Sequence, residues 1–175
     1  MISKDTIVAL ATPSGAGAIA IIRLSGKEAL PIVSGIFHSV SGKNLASQKT
    51  HTIHLGTVVD DNKTLDQVLV SIFKNPHSYT GEDVVEISCH GSTFIQQQIS
   101  QLLLRKGAKM AQPGEFTLRA FLNGKLDLSQ AEAVVELVVL SLIVNTNVSV
   151  WQPTTLVYVP DRKCVGEGKS VQVGC

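Results

Sequence analysis

The sequence has almost no net charge. Fifteen Lys and Arg residues against fourteen Asp and Glu leave a formal +1. The cations are scattered rather than drawn into a stripe, so the composition gives no electrostatic footprint for nucleic acid. No DNA contact is expected, and any RNA contact falls to a local patch or another domain. Cysteine is scarce as well. Cys89, Cys164 and Cys175 are odd in number, far apart and without a C-x-x-C pair, which argues against a disulfide framework and against a zinc site. A long hydrophobic run is also missing. No apolar leader core follows Met1-Ile2-Ser3-Lys4-Asp5. The charge-free stretch Leu137–Pro160 is broken by Ser, Asn, Gln and Pro short of the ~18 apolar residues of a membrane span. These absences lead to the expectation of a cytoplasmic protein without membrane contact.

What is present is enough for a core. With 175 residues, 44% hydrophobic and 17% charged, the chain holds one ordinary domain, or one domain and an appendage. Its organising stretch is Asn75–Ser92, NPHSYTGEDVVEISCHGS. Thr80-Gly81 makes a turn, and Val84–His90 reads as a strand with Val85, Ile87 and Cys89 on a core face and Val84, Glu86, Ser88 and His90 opposite. Thr6–Ala11 and Ala18–Leu24 read as strands around the loop Thr12–Gly17. Gly15-Ala16-Gly17 formally starts a dinucleotide fingerprint, but a strand follows it and no acidic residue stands about 20 positions on. Lys27–Phe37 is expected as a helix with Pro31 in its first turn, and His38–Lys49 as loop. His51–Val59 and Leu65–Phe73 make a hairpin around Asp60-Asp61-Asn62. A helix carrying Ile95, Ile99, Leu102 and Leu103 follows, opened by a Thr93/Gln96 capping box and stopped at Gly107. Ala108–Ala111 is a strand, Pro113–Leu122 a helix, and Ser129 with Glu132 spaces as a capping box for another. From about Val139 no helical period is visible. Gly168-Lys169-Ser170 lacks the preceding glycine and following helix of a P-loop. The mixture reads as α+β, a mixed or antiparallel sheet with packed helices.

Three residues carry candidate chemistry. Arg23 ends an apolar strand and can grip a carboxylate in bidentate fashion. Glu86, on a buried-looking strand, can accept paired hydrogen bonds from a guanidine-like heterocycle edge. For both, the plain alternative is a structural ion pair. Lys125 lies between two capped helices, where solvent exposure is the alternative. Cys89 and His90 point to opposite faces and are not a catalytic pair.

The words of the sequence go further. DTIVALATPSGAGAIAIIRLSG, YTGEDVVEISCHGS and PGEFTLRAFLNGKLDLSQAEAV resemble, in order and spacing, three blocks of the N-terminal domain of the MnmE (TrmE) family of tRNA-modification GTPases. The resemblance runs from about Asp5 to Leu137. It implies a fold similar to the folate-binding domain of aminomethyltransferases, binding of a tetrahydrofolate such as the 5-formyl form, and a homodimer contact. By the family pattern the folate contacts fall on Arg23, Glu86 and Lys125, with no catalytic residue and no metal ligand. The full family protein works with the flavoprotein MnmG on the wobble uridine of tRNA. Its GTP, Mg and K requirements, and its tRNA contact, belong to that complex. The family's long helices, inserted P-loop domain and C-terminal Cys-x-Gly-Lys do not follow here. The expectation is therefore a chain truncated before the GTPase domain: residues 1–122 a folate-binding domain, 123–144 a linker and the start of a helical domain, and 145–175 an unrelated tail. Two alternatives stay open. One is a structural fragment that binds nothing. The other is a free-standing folate-dependent one-carbon transferase, for which Asp127 is the one base worth mutating.

Overall fold

Strand alternation builds most of the molecule. The computed structural model describes residues 5–61 and 63–145. In chain order these form β1 (Ile7–Leu10), β2 (Ile19–Ser25), α1 (Ala29–Ser34), β3 (Phe37–Ser39), a 3-10 turn at Leu45–Ser47, β4 (Thr52–Asp60), β5 (Lys63–Phe73), β6 (Val84–His90), α2 (Thr93–Arg105), β7 (Lys109–Met110), α3 (Glu115–Leu122) and α4 (Leu128–Asn145). Among the described residues the strands make one seven-stranded sheet in the order β3-β4-β5-β6-β2-β1-β7. Neighbours are antiparallel except β1 and β7, which run parallel. The α+β expectation is met.

β6 lies between β5 and β2, and its Val85, Ile87 and Cys89 point into the core. Ile22 and Leu24 of β2, Val68, Val70 and Ile72 of β5, and Ile99, Leu102 and Leu103 of α2 complete that layer. One sheet face is thus dry under helices. The opposite face keeps Ile19, Ile53, Leu55 and Leu69 exposed.

Several local expectations change. α1 is shorter than the helical period suggested. Ile36 and Phe37 are buried as expected, but Gly35 closes the helix and Phe37 enters β3 opposite Val58. Gly56 on β4 makes this possible: a Cβ there would lie 2.3 Å from the Phe37 ring. The segment expected as loop after Phe37 therefore contributes an edge strand and the 3-10 turn. At α2 the side chain of Gln96 does not close a box on Thr93. It turns inward and donates to the carbonyls of Gly15 and Gly91 at 3.0 and 3.1 Å. At α4 the reciprocal cap is Asp127 with Gln130, at 2.8 and 3.0 Å, two residues before the expected Ser129/Glu132 pair. α4 continues to Asn145. Its later sequence, LVVLSLIV, has one polar residue in eight, so no alternation of polar and apolar residues sets a period to read. Asn62, the P-loop look-alike at Gly168–Ser170, Cys164, Cys175 and the expected tail beyond Asn145 lie outside the described residues.

The Gly15–Gly17 loop is a close backbone approach. Gly17 donates to the Gly91 carbonyl at 2.9 Å, and Gly91 donates to that of Ala18 at 3.1 Å. Side chains are excluded at this crossing, since a Cβ on Gly91 would lie 2.2 Å from the Gly17 oxygen. Among the described residues no helix is long and apolar enough to cross a membrane.

Candidate functional site

The antiparallel register of β2 and β6 sets Arg23 directly opposite Glu86. Both point away from the core, because their neighbours Ile22, Leu24, Val85 and Ile87 point into it. The Arg23 Nε donates to Glu86 Oε1 at 2.8 Å. The side chains keep 31% and 21% of their surface exposed. A pair this wet adds only about 0–1 kcal/mol to stability. Its polar edges are incomplete. Among the described residues neither side chain takes a second hydrogen bond, which leaves Glu86 Oε2 and the terminal guanidinium nitrogens open. The guanidinium lies 5.6 Å from the ring centre of Tyr79 and 5.9 Å from that of Phe116, within cation–π range of both. Tyr79 is fixed in turn by a 3.1 Å hydrogen bond between its hydroxyl and that of Thr117.

Lys125 is placed differently. It is exposed, and its Nζ donates to the Pro76 carbonyl at 2.8 Å. Its methylenes run beside Gly81, whose φ of +76° is open to glycine and costly for other residues. Lys125 makes no hydrogen bond or ion pair with Arg23 or Glu86. Arg23 and Lys125 border the same loop, residues 75–83, at different points: Pro76 and Gly81 lie against Lys125, and Tyr79 against Arg23. Asp127 spends its carboxylate on the α4 cap, accepting from the Gln130 N–H.

Sequence reading passed over the residues beneath this surface. Arg119 on α3 is 3% exposed. It donates to Glu115 Oε1 at 2.9 Å and to Glu82 Oε2 at 3.1 Å. Glu82 also accepts from Ser25 at 2.7 Å, and Ser25 shares a 2.7 Å contact with the Thr80 hydroxyl. The Glu115/Arg119 spacing of four is a readable helix pair. Nothing local announces Glu82, Tyr79 or Phe116 as partners across the fold. On the core side, Cys89 is buried and donates to the Ala20 carbonyl. Burial, and then the carboxylate of Asp66, push its thiol from 9.0 up to about 11, so it is protonated at neutral pH and a poor nucleophile. Among the described residues no three His, Cys, Asp or Glu side chains gather as a metal site.

Residues 6–125 match the family model described as the GTP-binding protein TrmE N-terminus. The chain is similar to the tRNA modification GTPase MnmE of Flavobacterium johnsoniae, 72% identical over 79% of this chain and 30% of that protein. It is also similar to those of Moorella thermoacetica, 56% identical over 77% and 29%, and Bacillus subtilis, 54% identical over 77% and 30%. The chain thus spans about 30% of the length of the curated relatives it matches.

Proposed function

Because the chain belongs to the family of the GTP-binding protein TrmE N-terminus, we propose that it is the folate-binding and homodimerisation module of a tRNA-modification GTPase. The observation that carries the reading is the Arg23–Glu86 pair, held at 2.8 Å with its remaining polar edges open between two aromatic rings and solvent. The ligand is a tetrahydrofolate in the 5-formyl or a related form. Two side chains in direct contact serve the same end of a ligand. The pterin ring offers amino and ring N–H donors beside a carbonyl acceptor. Glu86 accepts from the donors, and the Arg23 guanidinium donates to the carbonyl. The glutamyl tail leaves from the opposite end of the molecule, so its carboxylates go to the separate cation, Lys125.

The dimer is supported by the open sheet face, where Leu55 and Leu69 are cross-strand neighbours and Ile53 is 67% exposed. Apolar residues clustered in this way fit a surface that a second copy covers. In this reading GTP, Mg, K, tRNA and the flavoprotein MnmG are engaged by the rest of a full-length protein, in the cytoplasm, during modification of the wobble uridine.

Calorimetric titration with 5-formyl-tetrahydrofolate tests the site. The folded chain is expected to bind, and Arg23→Ala or Glu86→Ala is expected to weaken binding by about 10-fold or more, which is ~1.4 kcal/mol. No binding by a folded wild-type chain rejects the proposal and leaves a structural fragment.

A further inference from the structure

The side chains named for the ligand stand on five segments. Arg23 on β2 and Glu86 on β6 are fixed to each other by the sheet, whereas Tyr79 is in the loop before β6, Phe116 on α3, and Lys125 between α3 and α4. A rigid site needs these segments fixed to one another, because a ligand gains nothing from groups it must first order. The direct contacts between them are few and lie at the surface.

Around Arg23, Tyr79, Phe116 and Lys125 each segment has an anchor within two residues, buried at Ser25 and Thr80 and exposed at Asn123, and the anchors form one network. Ser25 stands two residues from Arg23 on the same face of β2, and its hydroxyl donates to Glu82 Oε2 at 2.7 Å. Thr80, next to Tyr79, is fully buried and shares the Ser25 hydroxyl. Its carbonyl accepts from Asn123 Nδ2 at 2.7 Å, and Asn123 stands two residues from Lys125. Glu115, next to Phe116, accepts from Arg119 at 2.9 Å and also accepts from the Gln112 N–H at 2.8 Å. Arg119 joins the halves: one arm of its fork reaches Glu115 and the other Glu82.

We infer that Arg119 is a positioning residue for the ligand site, holding the β2, Tyr79-loop and α3 segments in register so that Arg23, Tyr79, Phe116 and Lys125 converge on one ligand. This rests on the folate reading above. Only a planar, multiply donating cation spans both carboxylates. A lysine in its place keeps the charge and reaches one of them.

The test uses the full chain and three measurements on Arg119→Lys, with Glu82→Gln as the milder variant should the first fold poorly. Circular dichroism and thermal melting establish that the variant is folded at the temperature of titration. Calorimetry with 5-formyl-tetrahydrofolate should then show binding weakened about 10-fold or more. In a double-mutant cycle with Tyr79→Ala the two losses should fail to add, because a displaced Tyr79 is already lost to the ligand. Hydrogen exchange should report faster amide exchange confined to residues 76–83. A purely structural role lowers melting temperature without that coupling. Wild-type affinity in the folded variants, or losses that add, overturns the inference while leaving the folate site standing. A wild-type chain that binds no folate overturns the functional reading, and this inference with it.

Discussion

The two faces of β6 are built on different terms. On one, Val85, Ile87 and Cys89 lie under helices and are almost without solvent contact. On the other, Glu86, Ser88 and His90 alternate with them and remain accessible, while Val84 at the start of the strand is buried. The covered face is specified by composition: any apolar side chain of about the right volume fills it. The open face is specified by register. A shift of β2 against β6 by one residue would turn Arg23 to the covered side, beside Val85 and Ile87, while Glu86 stays on the open one, and so destroy the pair. Stability therefore resides on one face and the candidate chemistry on the other, and substitutions should separate them.

The sharpest break comes from the covered face. Ile87→Ala removes a fully buried side chain at the sheet centre and should cost about 3–4 kcal/mol in chemical denaturation. A loss under about 1 kcal/mol would mean the core is not organised around β6. Next is Gly91→Ala, where the new methyl meets the Gly17 carbonyl at 2.2 Å. A cost of about 2–3 kcal/mol is expected from this overpacking, and an unchanged unfolding midpoint would show that the Gly15–Gly17 loop gives way freely. Cys89 adds a pH arm. Its thiol is raised from 9.0 to about 11 in the fold. Between those values the unfolded chain gives up the thiol proton and the folded chain keeps it, so the stability this group contributes is full below pH 9 and lost as pH rises through 11. The slope from one such group is at most about 1.4 kcal/mol per pH unit. Cys89→Ala should flatten the alkaline limb of a stability–pH curve relative to wild type, and parallel limbs would contradict the burial argument. The smallest effect belongs to the open face. Leu55→Thr, at a site already 47% exposed, should change stability by no more than about 0.5 kcal/mol. In the proposed dimer it should nevertheless move the sedimentation profile toward monomer. A large stability loss with unchanged association would reverse the assignment of the two faces.

The same contrast explains what could be read in advance. β6, β2 and the β4–β5 hairpin were legible because one face of each is buried and the alternation is visible. Arg23 and Glu86 stood out as charges on apolar strands, but their pairing depended on a register between segments sixty-three residues apart. α1 was overextended because Phe37 fits the helical period and the β-sheet core equally well. Its partner, Gly56, is distant in sequence. The cap of α4 was misplaced because Asp127/Gln130 and Ser129/Glu132 have the same spacing, and only the backbone chooses between them. The network around Arg119 was invisible because Ser25, Thr80, Glu82, Glu115 and Asn123 come from four segments, each unremarkable alone.

In the proposed site Arg23 and Glu86 together read one end of a folate while Lys125 reads the other. The most direct measurement is a paired titration of wild type, Glu86→Ala, Arg23→Ala and Lys125→Ala with 5-formyl-tetrahydrofolate and with a reduced pterin lacking the glutamyl tail. The expectation is that the Arg23 and Glu86 substitutions weaken both ligands by similar factors, whereas Lys125→Ala weakens only the one with the tail. Equal losses for Lys125→Ala with both ligands, or an Arg23 effect confined to the tailed ligand, would contradict it.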